Sequence, residues 1–177
     1  DLRTSEIVGS EALVRWQHPV RGLLAPATFI QIAEDSGLIE RLGRSMLEQA
    51  CRYAVDWLQT VKADRLQHIA INISGRQIEH TDLVGDVRHV IETLRIPPQI
   101  LVLEITESVL MQNVPAAIDQ LTRLKQLGVR IALDDFGTGY SSLSHVHRFP
   151  IDILKIDRSF IDSLKKNDGS ELVRAII

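Results

Sequence analysis

A strand-like segment that recurs about every 30 residues constrains the fold of this chain more than any other feature. Positions 68–74, 100–106 and 129–135 each alternate in side-chain character and then reach a turn. Between them, over positions 83–94 and 118–127, apolar residues recur at the spacing of amphipathic helices. A strand, a helix and the next strand within about 30 residues form a unit with a right-handed crossover. The repeat therefore predicts an α/β protein with a parallel sheet.

Further elements flank the repeat. Positions 6–16 and 151–157 are predicted to form an earlier and a later strand, and an apolar stripe over positions 38–58 predicts a long helix that buries Cys51. A (β/α)8 TIM-like barrel usually needs about 250 residues, whereas this chain has 177. We therefore expect residues 1–177 to form a single barrel domain that is incomplete at both ends.

Composition and charge limit the class of partner. The chain carries 20 Lys+Arg against 23 Asp+Glu, so it offers no broad positive field for a nucleic-acid polymer. The longest apolar run has only four residues, Ile100 to Leu103, so we expect no membrane contact from this segment. The single cysteine is typical of a reducing compartment. These features favour the cytoplasm, either for the protein itself or for the cytoplasmic domain of a larger, membrane-bound protein.

Polar side chains gather late in four successive predicted strands. Asn72, Glu104 and Asp134 alternate with apolar neighbours, and Lys155 and Asp157 share one face of the last strand. The carboxyl ends of barrel strands are where such folds build their active sites. We therefore expect these residues to meet at one end of the sheet.

The acidic residues of this group predict a metal site. Glu104, Asp134 and Asp135 would repel one another at close range unless a cation neutralised them. Carboxylate and amide oxygens suit Mg²⁺, Mn²⁺ or Ca²⁺, and no histidine or cysteine lies at these strand ends to favour zinc. His145 and His147 are predicted to be surface or packing residues. A glycine-containing loop at 136–142 follows the acids, and Lys155 could orient water or stabilise phosphate charge.

At these residues the sequence resembles the EAL domains, a family that hydrolyses the bacterial second messenger cyclic di-GMP in signal transduction and biofilm control. The matching blocks are Glu11-Ala12-Leu13-Val14-Arg15-Trp16, Ile71-Asn72-Ile73-Ser74, Glu104-Ile105-Thr106-Glu107-Ser108, Asp134-Asp135-Phe136-Gly137-Thr138-Gly139-Tyr140-Ser141-Ser142 and Leu154-Lys155-Ile156-Asp157. The resemblance covers essentially the whole chain. It implies a (β/α)8 TIM-like barrel of EAL type that binds its substrate at the carboxyl ends of the strands.

The resemblance also implies a role for each matching residue. It makes Glu11, Asn72, Glu104 and Asp134 ligands of one metal ion, and Asp134 and Asp135 ligands of a second. Mg²⁺ or Mn²⁺ would support hydrolysis to linear pGpG, with Ca²⁺ as an inhibitory occupant. By the same resemblance, Lys155 would help to hold the attacking water, and Glu107 would support the 136–142 loop. Arg15 would contact a substrate phosphate, Leu13 would pack near a guanine, and Asp157 would lie close to the bound nucleotide.

The family pattern also has parts that this sequence does not contain. A Tyr-Gln-Pro-like strand normally precedes the matching blocks, and later strands supply glutamates that include a second-metal ligand and the candidate general base. If these parts are absent, Glu107 is the first residue within the span to test as base. The resemblance further implies a homodimer that pairs through roughly residues 141–163, and a fused sensory or diguanylate-cyclase-like domain outside this chain.

Two other functions stay open at this point. Some relatives of the family keep the fold and the nucleotide pocket but act as cyclic di-GMP receptors without cleavage. Without the resemblance, the same residues would fit a metal-dependent barrel enzyme that acts on an enolisable substrate with Lys155 as base.

Overall fold

A computed structural model describes residues 1–60, 68–137 and 147–159 of the chain. The strands are β1 (Gly9–Ala12), β2 (Trp16–His18), β3 (Gly22–Leu24), β4 (His68–Asn72), β5 (Leu101–Thr106), β6 (Arg130–Phe136) and β7 (Ile153–Ile156). The helices are α1 (Ile30–Asp35), α2 (Ile39–Thr60), α3 (Gly75–His80), α4 (Leu83–Leu94), α5 (Glu107–Gln112) and α6 (Val114–Gln126), with 3-10 turns at Pro26–Thr28 and Pro98–Ile100.

Five strands form one parallel sheet in the order β1-β4-β5-β6-β7. The sheet is curled into a half-barrel. The neighbours along it follow the order of the chain, and the connections from β1 to β4, from β4 to β5 and from β5 to β6 each carry helices, as crossover connections between parallel strands do. This confirms the α/β class and the parallel sheet predicted from the repeat.

Alternation along the strands separates two apolar surfaces. Ala70, Val102 and Ala132 form a small inner cluster with Ile153 packed against it. The residues between them, such as Ile71 and Leu103, belong to the large core shared with the helices. The inner side chains are small, so the inside of the curl fills without bulky groups. Polar residues of the same parity therefore continue this inner face toward the carboxyl ends.

The helices cover the outer face of the sheet. The predicted long helix is confirmed as α2, which buries Leu47, Cys51 and Ala54. Cys51 is 0% exposed, and burial raises the pKa of its thiol to about 12. The α4 and α6 helices contribute Val87 and Leu121 to the same core. No described helix is long and apolar enough to cross a membrane.

The first predicted strand is shorter than expected and is followed by a hairpin that the pattern does not reveal. The segment predicted at 6–16 is a strand only over Gly9–Ala12, and Trp16 begins β2, which pairs antiparallel with β3. Gly22, the first residue of β3, follows the turn with a φ of 71°, in the left-handed region open to glycine. Strands of three residues are too short to show a period, so the sequence pattern predicts one long strand instead.

The strand predicted at 68–74 ends at Asn72 because Ser74 caps the next helix. The Ser74 side chain accepts a hydrogen bond from the Gln77 amide, and the Gln77 side chain accepts one from the Ser74 amide, which completes a capping box at the start of α3.

The strand predicted at 129–135 lies one residue later, at Arg130–Phe136. Its pairing with β7 is irregular between Leu133 and Phe136, and Asp135 takes a left-handed φ of 54°. One extra residue there lets Leu133 and Phe136 both join the outer core although they are three positions apart.

Part of the predicted dimer segment, 141–163, lies outside the described residues. Within the described part, Phe149 is 6% exposed and packs in the main core. His145 also lies outside the described residues, and His147 is exposed, as predicted for a surface histidine.

Candidate active site

Four adjacent parallel strands bring polar side chains to the carboxyl end of the sheet. Asn72 ends β4 and is in register with Glu104 on β5, while Thr106 pairs with Asp134 on β6. The Ile73 amide donates a hydrogen bond of 2.8 Å to the Glu104 carbonyl, which extends this pairing past the end of β4. Together with Glu11 near the end of β1, these residues occupy the position that the sequence predicts.

The Lys155 side chain on β7 joins the acidic residues. Its Nζ atom lies 2.6 Å from Glu104 Oε2 and 3.0 Å from Asp134 Oδ2, both hydrogen-bond distances. Glu11 Oε2 lies 3.6 Å from the same nitrogen. One ammonium group therefore serves three carboxylates from three different strands.

Burial and charge act on this group in opposite directions. Glu104 is only 4% exposed, and this burial raises the pKa of its carboxyl group although the hydrogen bond from Lys155 acts to lower it. Burial acts to lower the pKa of Lys155, but its hydrogen bonds to Glu104 and Asp134 outweigh burial and raise it. Lys155 is therefore firmly protonated at neutral pH.

Asn72 is linked to the cluster through Glu11. Its Nδ2 atom donates a hydrogen bond of 2.8 Å to Glu11 Oε1. Because the other oxygen of Glu11 faces Lys155, the Glu11 carboxylate connects the amide on β4 with the ammonium on β7. Five of the predicted residues thus form one continuous polar network.

Asp135 lies beside this network on the irregular part of β6. Its amide donates a hydrogen bond of 3.0 Å to Asp134 Oδ1. Burial first, and then the neighbouring Asp134 and Asp157 carboxylates, raise the pKa of Asp135. Two consecutive acids are therefore held near the same strand end.

Glu107 supports the beginning of the glycine-containing loop. It is the first residue of α5, it is 4% exposed, and its Oε2 accepts a hydrogen bond of 3.2 Å from the Gly137 amide. Residues 138–146 lie outside the described residues, so the contact concerns the first part of the loop.

Leu13, Arg15 and Asp157 make no described hydrogen bond to the five residues of the polar network. Leu13 is exposed by 53%. The Arg15 guanidinium donates to the Val14 carbonyl at 2.8 Å. The Asp157 carboxylate accepts hydrogen bonds from the Ser159 hydroxyl and amide, which lower its pKa.

A cavity of about 460 Å³ adjoins the polar network. Glu11 and Asn72 form part of its wall, and Leu13, Met46 and Val109 contribute apolar surface. Its size and mixed lining are typical of pockets that bind small molecules.

Gly43 and Gln77 form a contact that the sequence analysis misses. Gln77 is 6% exposed, and its side-chain amide occupies the space that a Cβ atom added to Gly43, in the second turn of α2, would need. The contact places α2 against the capping box that follows Asn72. The Ser-x-x-Gln spacing at 74–77 is the sequence signal that could have identified half of this arrangement.

The EAL domain family matches residues 1–177, the whole chain. The chain belongs to the EAL-domain family.

Relatives and solved structures agree with this assignment. A Pseudomonas aeruginosa protein, "Bifunctional diguanylate cyclase/cyclic di-GMP phosphodiesterase MucR", is 43% identical over 172 residues, which cover 97% of this EAL chain and 25% of MucR. An uncharacterized signaling protein of Caulobacter vibrioides is 46% identical over 173 residues, 97% of this chain and 21% of that protein. The chain thus spans about a quarter or less of the length of these curated relatives.

Solved EAL structures share the fold. The PaMucR phosphodiesterase in complex with c-di-GMP has a TM-score of 0.86 and 43% identity, covering 94% of this chain and 67% of that one. The EAL enzyme Bd1971 with cAMP and cyclic-di-GMP bound has a TM-score of 0.88 and 38% identity, covering 100% of this chain and 49% of that one. The predicted EAL-type TIM barrel is confirmed as the fold of the structural neighbours.

EAL domains generally use divalent metals, and the donor chemistry of this EAL site fits such ions. Three carboxylates and one amide converge from neighbouring strands, and these are the hard oxygen ligands that Mg²⁺ and Mn²⁺ prefer. Within residues 1–60, 68–137 and 147–159, no three acidic, histidine or cysteine side chains already stand as ligands around one point. The carboxylates instead gather around the Lys155 ammonium.

Proposed function

We propose that this EAL domain is a metal-dependent phosphodiesterase that hydrolyses cyclic di-GMP to linear pGpG. The observation that carries the proposal is the convergence of Glu11, Glu104 and Asp134 on one ammonium at the carboxyl ends of the strands. Three acids held this closely favour the binding of cations, and a phosphodiester substrate is an anion that needs them.

Glu11, Asn72, Glu104 and Asp134 would hold one Mg²⁺ or Mn²⁺ ion, and Asp134 with Asp135 would hold a second. Ca²⁺ would be an inhibitory occupant of the same oxygens. When bound, such ions activate water and neutralise the developing charge of an in-line displacement at phosphorus.

The side chains of the network prepare the site for this chemistry. Lys155 keeps the acids of β5 and β6 together through its hydrogen bonds, and it offers N–H donors that could hold the attacking water. Glu107 holds the backbone of Gly137, the residue that directly follows β6, through a hydrogen bond. The Glu107 contact is already in place before substrate binds.

The residues around the cluster would bind the nucleotide. Arg15 is exposed and carries a guanidinium suited to a phosphate group. Leu13 presents an apolar surface to the cavity beside Glu11, where a guanine could pack. Asp157 lies just beyond Lys155 at the end of β7, close to the same edge of the sheet.

The relatives support this choice of substrate. EAL domains are generally cyclic di-GMP phosphodiesterases, although some are inactive. The two solved neighbours cited above hold c-di-GMP, at 43% and 38% identity to this chain. We further infer a cytoplasmic homodimer in which residues 1–177 form one EAL-type domain beside a sensory or diguanylate-cyclase-like domain.

The test is hydrolysis of cyclic di-GMP by the protein at its natural length, with Mg²⁺ or Mn²⁺ and with EDTA as control. We expect pGpG to form with either metal and to disappear with EDTA. Binding of cyclic di-GMP without formation of pGpG would indicate a receptor. Failure to bind any dinucleotide would favour an enzyme that acts on an enolisable substrate. Both results would contradict the proposal.

A further inference from the structure

The Lys155 ammonium occupies the point at which the acidic side chains meet. Its contacts of 2.6 Å and 3.0 Å involve Glu104 Oε2 and Asp134 Oδ2, which are oxygens of two proposed metal ligands. The third acid, Glu11, approaches the same nitrogen at 3.6 Å. A positive charge thus already lies where the proposed function requires one.

The Lys155 ammonium and a divalent metal ion cannot both bind these carboxylate oxygens at full strength at the same time. Mg²⁺ binds carboxylate oxygens at about 2.0–2.1 Å, closer than any of the three contacts of the ammonium. A divalent ion on the same two oxygens would therefore lie against Lys155, and their like charges would repel in a partly buried site. The ammonium would have to leave at least one of the two carboxylates.

We propose that Lys155 is the resident counter-ion of the metal-free cluster and competes with the divalent cation for Glu104 and Asp134. The inference rests on the proposed function, because it assumes that this cluster is the metal site. Under this proposal, Lys155 takes one position in the metal-free protein and another in the metal-bound protein. The ammonium neutralises the acids in the metal-free protein, and metal entry releases its N–H donors toward water or phosphate.

The chain offers a matched control for the test. Lys125 pairs with Asp152 near the opposite ends of the strands, and its side chain is 31% exposed, compared with 32% for Lys155. Replacement of either lysine by methionine removes one positive charge while keeping an unbranched side chain. Lys125 loses one ion pair and Lys155 loses three. Only Lys155→Met removes a charge from the acidic cluster.

The decisive measurement is Mn²⁺ affinity without nucleotide, by calorimetry on the protein at its natural length. We expect Lys155→Met to bind Mn²⁺ at least about tenfold more tightly than the wild type, because a competing cation is gone. Lys125→Met should bind as the wild type does. Equal or weaker Mn²⁺ binding by Lys155→Met would overturn the inference, since Lys155 would then assist the metal instead of competing with it.

Thermal unfolding provides a second readout. Without metal, Lys155→Met should unfold at a lower temperature than the wild type, because its acids have lost their counter-ion. Saturating Mn²⁺ should raise the midpoint of this variant more than that of the wild type. For Lys125→Met, we expect the difference in midpoint from the wild type to be the same with and without Mn²⁺. The same result for Lys155→Met would contradict the proposed competition.

Glu104→Gln separates failure of this inference from failure of the proposed function. If Glu104→Gln leaves Mn²⁺ affinity unchanged, the cluster is not the metal site and the proposed function fails together with the inference. If Glu104→Gln weakens Mn²⁺ binding while Lys155→Met does not strengthen it, only the competition fails.

Discussion

The two ends of the sheet each contain a lysine paired with acid, but the balance of charge differs. Near the amino ends of the strands, Lys125 pairs with one acid, Asp152, among the residues that the structure describes. The second oxygen of Asp152 accepts a hydrogen bond of 2.8 Å from the Ile131 amide, and the Asp152 amide donates to the Ile131 carbonyl. At the carboxyl ends, Lys155 meets three carboxylates.

The difference distinguishes a structural contact from the proposed metal site. At Asp152 every described charge has one opposite partner, and the arrangement ties β6 to the residue before β7. At Lys155 the acids outnumber the ammonium, which stabilises neither the fold nor the acids as well as a balanced pair would. An unbalanced group of this kind persists where a cation or substrate supplies the missing charge.

The largest expected effect is on turnover, from Asp134→Asn at the unbalanced end. This change removes a negative charge from the residue proposed to contact both metals. We expect turnover of cyclic di-GMP to fall by more than about 100-fold, since even outer partners of metal ligands are worth 10–100-fold. The metal-free protein should stay folded, because repulsion among the acids is relieved.

Steady-state pGpG formation, Mn²⁺ affinity and circular dichroism would measure these effects. The control is Asp119→Asn, since Asp119 is an exposed acid on α6 paired at 3.9 Å with Arg123. Near-normal cleavage by Asp134→Asn would show that the unbalanced end is not the metal site.

Asp152→Ala at the balanced end should reduce stability instead. It leaves the Ile131 amide and Lys125 without their described partner. We expect the free energy of unfolding to fall by about 1–2 kcal/mol, with turnover per folded molecule unchanged. Urea unfolding and activity at low temperature would measure both quantities. A loss of turnover larger than the loss of folded protein would erase the distinction between the two ends.

The smallest effect concerns His68, which begins β4 and covers Gly9 on β1. Burial, and then the positive charge of Arg130, lower the pKa of His68 below its usual 6.5. The unfolded chain therefore takes up this proton more readily than the folded protein. Stability from this group is present above pH 6.5 and is lost as the pH falls through and below that value.

His68→Gln should flatten the decline in unfolding free energy below pH 6.5 relative to the wild type. Urea unfolding at several pH values would measure the two slopes. His89→Gln is the control, because His89 is exposed on α4 and should leave the slope unchanged. Identical slopes for wild type and His68→Gln would show that His68 is equally easy to protonate in both states.

The sequence predicts the strand ends of the site well. Asn72, Glu104, Asp134 and Lys155 are identified by position within repeated strands, and the structure gathers all four. The reason is that parallel strands joined by helices align their carboxyl ends automatically. Which of these side chains contact one another is not predictable in this way, because the contacts depend on the register between strands about 30 residues apart.

Contacts between distant segments account for what the sequence analysis misses. The Gly43 and Gln77 contact joins the second turn of α2 to α3, and no local pattern in either helix indicates the other. The β2–β3 hairpin has strands of only three residues, which is too little for a periodic signal. Lys155 lies at the centre of the cluster because its long side chain extends across the curled sheet to acids on other strands. The spacing of residues in the sequence does not predict such a contact.

Because β6 contains one extra residue, Asp135 could be deleted without changing which face the other residues of the strand occupy. Asp135 falls between Leu133 and Phe136, where the pairing with β7 is irregular. Loss of this single codon would restore ordinary alternation and leave Phe136 on the helix side, with Asp134 still facing Lys155. Such a deletion would take away one proposed ligand and leave the residues that line the cavity beside Glu11 unchanged. An EAL domain could thus lose a proposed metal ligand, and with it the proposed hydrolysis, by one in-frame deletion.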